Sequence, residues 1–126
     1  MASDTYHEPI EKLTEATIDL HRAIRSLMEE LEAIDWYQQR VDATADEELR
    51  HVLAHNRDEE IEHAAMTLEW IRRRSPTFDA ALRTFLFAQG EITTIEERTK
   101  AQNGAAASSS VPGPGAPLTT IGSLRR

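Results

Sequence analysis

Asp58-Glu59-Glu60-Ile61-Glu62-His63-Ala64-Ala65-Met66 is the stretch on which the fold turns. It sits inside a longer run, Leu53, Asn56, Glu60, His63, Thr67 and Trp70, whose spacing of three and four residues marks one face of a helix. That face is apolar at both ends and polar in its middle. Glu60 and His63, three apart, project from the same side and can grip one cation with an oxygen and a nitrogen. A carboxylate on a packing seam is costly unless it is paired or bound to metal, so these residues need a partner. A charge run such as Asp58 to Glu62 also arises on a solvated helix face, and that reading stands beside the first.

Upstream lies the partner. Ile10, Leu13, Thr17, Leu20, Ile24, Leu27, Leu31 and Ile34 alternate spacings of three and four, a heptad-like seam that predicts a helix from about Pro9 to about Arg40. At ~1.5 Å per residue it is on the order of 45 Å long. Glu30 lies beside the seam residues Leu27 and Leu31. Thr44-Ala45-Asp46-Glu47 reads as a capping box, with Thr44 capping a second helix that runs from about Ala45 to Arg74. Its last turn, Arg72-Arg73-Arg74, complements the negative end of the helix dipole.

Ser75-Pro76 is a stop and a new start. Phe78, Ala81, Leu82, Phe85 and Leu86 share a face of a short third helix that Gly90 ends, and residues 91–97 add a further turn. Beyond them the composition shifts to Ala, Ser, Gly and Pro, so the chain divides into a helical domain over 1–97, a flexible linker over 98–117 and a terminal segment over 118–126. That last segment, Leu118-Thr119-Thr120-Ile121-Gly122-Ser123-Leu124-Arg125-Arg126, regains apolar side chains and reads as a tethered recognition peptide.

The fold expected is all-α, with two long antiparallel helices plus a short third. Ferritin-like di-iron bundles take one Glu from each of two helices and Glu-x-x-His from each of the other two. This chain has one helix of each kind, so the four-helix bundle and its two-metal site form only on dimerisation. Iron suits carboxylate and imidazole ligands, as do zinc and manganese. His51 and His55, four apart, suit surface positions better than a metal site, and His7 and His21 carry no argument.

Composition bounds the rest. At 126 residues the chain fits one domain. It has no cysteine, which excludes disulfides and thiolate metal sites. Hydrophobic residues make up 40% and charged residues 29%, a balance suited to long helices that complete their core with a second copy. Residues 1–97 hold all 22 acidic side chains but only ten of the 14 basic ones, a net of −12. Such a field repels nucleic acid and anionic lipid and concentrates cations. The polar N-terminus has no apolar signal-peptide core, and no stretch is apolar enough to span a membrane. The reading is a cytoplasmic protein with no nucleic acid and no membrane partner.

Met28-Glu29-Glu30-Leu31-Glu32-Ala33-Ile34-Asp35-Trp36-Tyr37 and Ala54-His55-Asn56-Arg57-Asp58-Glu59-Glu60-Ile61-Glu62-His63-Ala64-Ala65-Met66 closely resemble the encapsulated ferritins. The likeness runs from about Glu8 to about Ile95. Leu118 to Arg126 is similar to the peptide that targets cargo to encapsulin shells, with Leu118, Ile121, Gly122, Ser123, Leu124 and Arg125 as its matching residues. Thr120-Ile121 stands where many such peptides carry a single Val.

The resemblance implies a ferroxidase centre of Glu30, Glu60 and His63 shared across a two-fold interface. It also implies a secondary, more exposed site at Glu29 and Glu32 for calcium or another divalent cation, and Trp36 and Tyr37 near the iron. A ring of dimers, typically a decamer, is implied as well, with Fe(II) and oxygen as substrates and the lumen of an encapsulin nanocompartment as the place of iron storage. Packing at the end of the first helix is an equal reading of Trp36 and Tyr37, and a solvated acidic face of Glu29 and Glu32. Two rivals remain: another di-metal oxidase or peroxidase on the same scaffold, and a non-catalytic helical cargo protein.

Overall fold

The computed structural model describes residues 5–109, so the terminal segment with Leu118, Ile121, Gly122, Ser123, Leu124 and Arg125 lies outside the described residues. Among those described, all regular structure is helical: a short 3-10 turn at Ile10–Lys12, then α1 (Glu15–Ala43), α2 (Glu47–Arg74), α3 (Pro76–Phe85) and α4 (Ile92–Ser109). The chain divides into two compact units, with the boundary at Ala80 and Ala81 inside α3. None of the helices is long and apolar enough to cross a membrane.

The first long helix starts later than the heptad pattern suggests. Pro9 opens only the 3-10 turn, and Leu13 is extended. Thr14 then caps α1, its side chain accepting from the Thr17 backbone N–H at 3.1 Å. A hydroxyl that satisfies an otherwise unpaired N–H of the first turn offers a better helix start than a proline can. The capping box also resolves differently. Asp46 is the N-cap of α2, accepting from Leu49 N–H at 2.8 Å, and Thr44 closes α1 instead, its N–H donating to Arg40 C=O. A carboxylate two residues closer to the helix faces the dipole directly, and Thr44 Oγ1 accepts from Asp46 N–H at 3.2 Å.

With only Thr44 to Asp46 between them, α1 and α2 form a tight hairpin. Three cross-helix bonds show its direction: Arg50 donates to Val41 C=O, Arg57 to Gln38 Oε1 at 2.8 Å, and Thr67 to Glu30 Oε1 at 3.1 Å. Each step forward along α2 meets a step backward along α1, so the helices are antiparallel. Arg50 also donates to Thr44 C=O, so one guanidinium satisfies two carbonyls that the end of α1 leaves without helical partners.

The heptad seam splits in two. Leu13, Leu20, Leu27 and Ile34 are half-buried, whereas the alternate seam residues Ile10, Thr17, Ile24 and Leu31 are exposed. Buried side chains in the hairpin are confined to Ala64 and Ile71 of α2, of which Ile71 alone is fully buried, and α1 has none. Leu31 (53% exposed), Val52 (50%), Ile61 (47%) and Met66 (62%) leave the hairpin with apolar surface that it does not itself cover.

At the far end of α2, Glu69 accepts from Arg72 and from Arg73 Nε at 2.7 Å, and these bonds hold its carboxyl at about 2. Arg72 reaches on to Asp79, tying the end of α2 to the start of α3 across Ser75-Pro76. Ser75 does cap α3, its Oγ accepting from Phe78 N–H at 3.2 Å. That helix stops at Phe85, short of Gly90, and Phe87 takes a left-handed φ of 58° with its ring fully exposed.

The composition-based linker is corrected at its start. Helix α4 runs from Ile92 to Ser109, well beyond the single turn expected and into the segment read as linker. Glu91, just before it, accepts from Thr93 N–H at 2.9 Å and from the Thr94 hydroxyl, and bonds with Thr93 foremost hold its carboxyl below its ordinary range. Alanine is the best helix former, so Ala-rich chain continues a capped helix that composition alone would class as loose.

Replacing the α2 cap tests this assignment. Asp46→Ala is expected to lower stability to urea by about 1 kcal/mol, and Asp46→Asn, which keeps an acceptor, by only a few tenths.

Candidate metal centre

All three residues expected to hold metal lie within the α1–α2 hairpin. Glu60 and His63 come together as the spacing requires: Nδ1 of His63 lies 3.1 Å from Oε1 of Glu60, on a face where Glu60 is 28% and His63 48% exposed. One nitrogen and one oxygen thus converge on a common point. A cation that took both would replace the proton they share.

Glu30 is placed differently. Its Oε1 accepts from the Thr67 hydroxyl at 3.1 Å, and its Oε2 is shut off from solvent with no hydrogen-bond partner. Among the described residues this is the one side-chain polar atom both buried and unpartnered. An orphaned carboxylate oxygen inside a protein is unfavourable and calls for an explanation, an ion foremost. Thr67 stands one turn beyond His63 and two beyond Glu60, so the three side chains are strung along the hairpin rather than gathered. Accordingly, among the described residues of a single chain, no three His, Asp or Glu side chains are grouped so as to hold a metal ion.

Glu30 lines an open groove between the helices, with Asp19, Arg22, Ala23 and Ser26 on α1 and Met66, Thr67, Trp70 and Arg74 on α2. Arg22 pairs with Asp19 at 2.7 Å, and the Arg74 guanidinium lies 4.7 Å from the centre of the Trp70 ring. Both cations are therefore engaged at the far end of the groove from the Glu60–His63 pair. Two carboxylates and an imidazole, with no thiolate, form a donor set that fits Fe(II) and other divalent first-row metals.

The other residues singled out from sequence lie around this core. Glu29 is exposed and pairs with Arg25 at 3.5 Å, and Glu32 is exposed on the same helix. Trp36 is 49% exposed. Tyr37 is half-buried, lies seven residues from Glu30 and so on nearly the same stripe of α1, and has the Arg40 guanidinium 5.4 Å from its ring centre. No direct bond joins Glu29, Glu32, Trp36 or Tyr37 to Glu30, Glu60 or His63 within the described chain.

Sequence reasoning missed Thr67 as part of the site, although it stands on the polar stretch of the α2 seam. The available signal was its position four residues after His63, where a threonine hydroxyl reaches the carbonyl one turn back, as it does here at 3.0 Å.

A buried, half-satisfied carboxylate has a measurable cost. Glu30→Leu is expected to raise the unfolding free energy of chelator-treated protein by about 1 kcal/mol or more. Denaturant melts of metal-free samples check this; a destabilised variant would mean that the Glu30 carboxylate is a structural asset.

Comparison with known proteins places these residues in context. The family model described as EncFtn-like matches residues 5–89, which contain the whole hairpin. The chain is 59% identical over 103 residues to the encapsulated ferritin-like protein of Rhodospirillum rubrum, covering 82% of this chain and 74% of that one. It is 58% identical over 97 residues to the ferritin-like protein of Thermotoga maritima, covering 77% and 85%. A more distant relative, the encapsulin nanocompartment cargo protein EncC of Myxococcus xanthus, is 39% identical over 113 residues, covering 86% of each chain. A crystal structure of a protein from Nitrosomonas europaea superposes with a TM-score of 0.67 at 60% identity, covering 69% of this chain and 96% of that one.

Proposed function

Because the chain belongs to the EncFtn-like family, we propose that it is a ferroxidase that converts Fe(II) to Fe(III) at a site completed by a second copy of itself. The observation that carries this reading is the buried, unpartnered Oε2 of Glu30 on a hairpin whose other candidate ligands pair one turn away. A single chain offers a bidentate grip at Glu60 and His63 and a lone oxygen at Glu30. A two-fold copy doubles each of these and brings two sets of ligands to one interface. The uncovered apolar side chains of the hairpin supply the surface such an interface would bury.

In this reading Glu60 and His63 capture Fe(II), and the Glu30 carboxylates hold two ions close enough to give up one electron each to the same dioxygen. With two protons the oxygen leaves as hydrogen peroxide, so two Fe(II) become two Fe(III). The carboxylates stabilise the added positive charge as it builds. His63 binds through a ring nitrogen as neutral imidazole. Glu29 and Glu32, exposed and acidic, form a secondary site for calcium or another divalent cation. In the same reading the dimers assemble into a ring, typically a decamer, with no mineral cavity of its own.

Storage is then a matter of address. Relatives are named as encapsulated or as encapsulin cargo, and residues 118–126 carry the peptide-like pattern Leu118 with Ile121-Gly122-Ser123-Leu124-Arg125. We read this segment as the ligand of an encapsulin shell protein, which places the enzyme in the lumen where Fe(III) can accumulate.

Glu30→Ala, Glu60→Ala and His63→Ala should each slow aerobic Fe(II) oxidation at least about tenfold, as loss of a ligand must exceed loss of a supporting residue. Three unchanged rates would remove the site. Fe(II) or a redox-inert metal should also shift sedimentation toward the dimer, because each subunit supplies only part of the ligand set. Deleting residues 118–126 is expected to leave oxidation intact and abolish co-purification with a co-expressed shell; retained co-purification would strip the tail of that role.

A further inference from the structure

Thr67 makes two contacts with one hydroxyl. Its Oγ1 lies 3.1 Å from Oε1 of Glu30 on the opposite helix and 3.0 Å from the His63 carbonyl one turn back on its own. A hydroxyl has a single proton, so it donates to one acceptor at a time. A threonine in a helix interior is already satisfied by the carbonyl four residues back. The contact to Glu30 is therefore additional to what the helix needs. It touches only one of the two carboxylate oxygens; the other, Oε2, is buried and bare.

From this arrangement we propose that Thr67 is a positioning residue: it holds Oε1 of Glu30 so that Oε2 is presented, without a competing donor, to a divalent metal. The proposal rests on Glu30 being a metal ligand and adds the group that aims it. A glutamate has three rotatable side-chain bonds, and without a fixed oxygen its carboxylate samples several rotamers. The Thr67 hydroxyl fixes one of them through a bond across the helix interface. The His63 carbonyl serves as a second acceptor, so the hydroxyl stays satisfied whenever the carboxylate turns to take metal with both oxygens. The same short stretch of α2 thus carries a ligand at His63 and, four residues on, the support for a ligand on α1. Ser26 lines the groove beside Glu30 but makes no bond to it, which leaves Thr67 as the hydroxyl that acts on this carboxylate.

The test compares Thr67→Val, which keeps the shape and loses the hydroxyl, with Thr67→Ser, which keeps the hydroxyl. Full-length protein is titrated with Co(II), read by its visible absorption, and assayed separately for Fe(II) oxidation. Thr67→Val is expected to weaken Co(II) binding about tenfold and to raise KM for Fe(II) by a similar factor, with kcat changed far less. Thr67→Ser should bind Co(II) within about twofold of the parent chain. Parent-like or tighter Co(II) binding by Thr67→Val overturns the proposal. If Thr67→Val loses helicity by circular dichroism, Thr67→Ala takes its place, and equal affinities for Ala and Ser at this position overturn it as well. Glu30→Ala is run alongside. Undiminished Co(II) binding there would show that Glu30 is no ligand, a failure of the underlying reading that a Thr67 result alone cannot imitate.

Discussion

The bond between Thr67 and Glu30 crosses the interface of two long helices and puts a carboxylate where a purely structural pair would place an apolar side chain. Everything around it accommodates that placement. The antiparallel register, seen in the pairings of Arg50 with Val41 and Arg57 with Gln38, brings the middle of α1 against the polar middle of α2. A three-residue connection, capped by Asp46 and tied by Arg50, leaves the hairpin little freedom to slide. Sliding by one turn would separate Glu30 from Thr67 and remove the one donor its carboxylate has.

The second constraint is the shortage of core. A hairpin of 29- and 28-residue helices that buries only Ala64 and Ile71 leaves Leu31, Val52, Ile61 and Met66 about half exposed or more. The exposed seam half of α1 (Thr17, Ile24, Leu31) lies on a different side from the stripe of Ala23, Glu30 and Tyr37. The exposed apolar strip and the Glu30 strip are thus adjacent on one helix. The Glu30 strip is partly covered by α2, which reaches it through Thr67, whereas Ile24 and Leu31 are left open.

Charge is distributed to suit. The basic residues near the groove are occupied, Arg22 by Asp19 and Arg74 by the Trp70 face. At the end of α2, Arg72 and Arg73 are held by Glu69, whose carboxyl they keep ionised. None of these cations is directed at Glu60 and His63, so Glu60 pairs with His63 and not with a guanidinium. These ion pairs are largely exposed and contribute little to stability individually; their effect is on which charges remain free.

Much of the hairpin was legible in the chain because helical periodicity and caps are local. The seam of α1, the end of α2 at Arg74, the Ser75-Pro76 restart and the approach of Glu60 to His63 all depend on residues within a few positions of one another. Which of two adjacent caps wins, Thr44 or Asp46, turned on backbone geometry at the hairpin that spacing does not encode. The extent of α4 was missed because Ala-rich composition is compatible with both coil and helix until a capped start such as that at Glu91 commits it. The split of the α1 seam into a covered and an open half, and the pairing of Glu30 with Thr67 across 37 positions, were decided by tertiary structure alone. A helix face is a property of sequence, but what lies opposite it depends on the register and rotation of a second helix, and those are set by the packing of both.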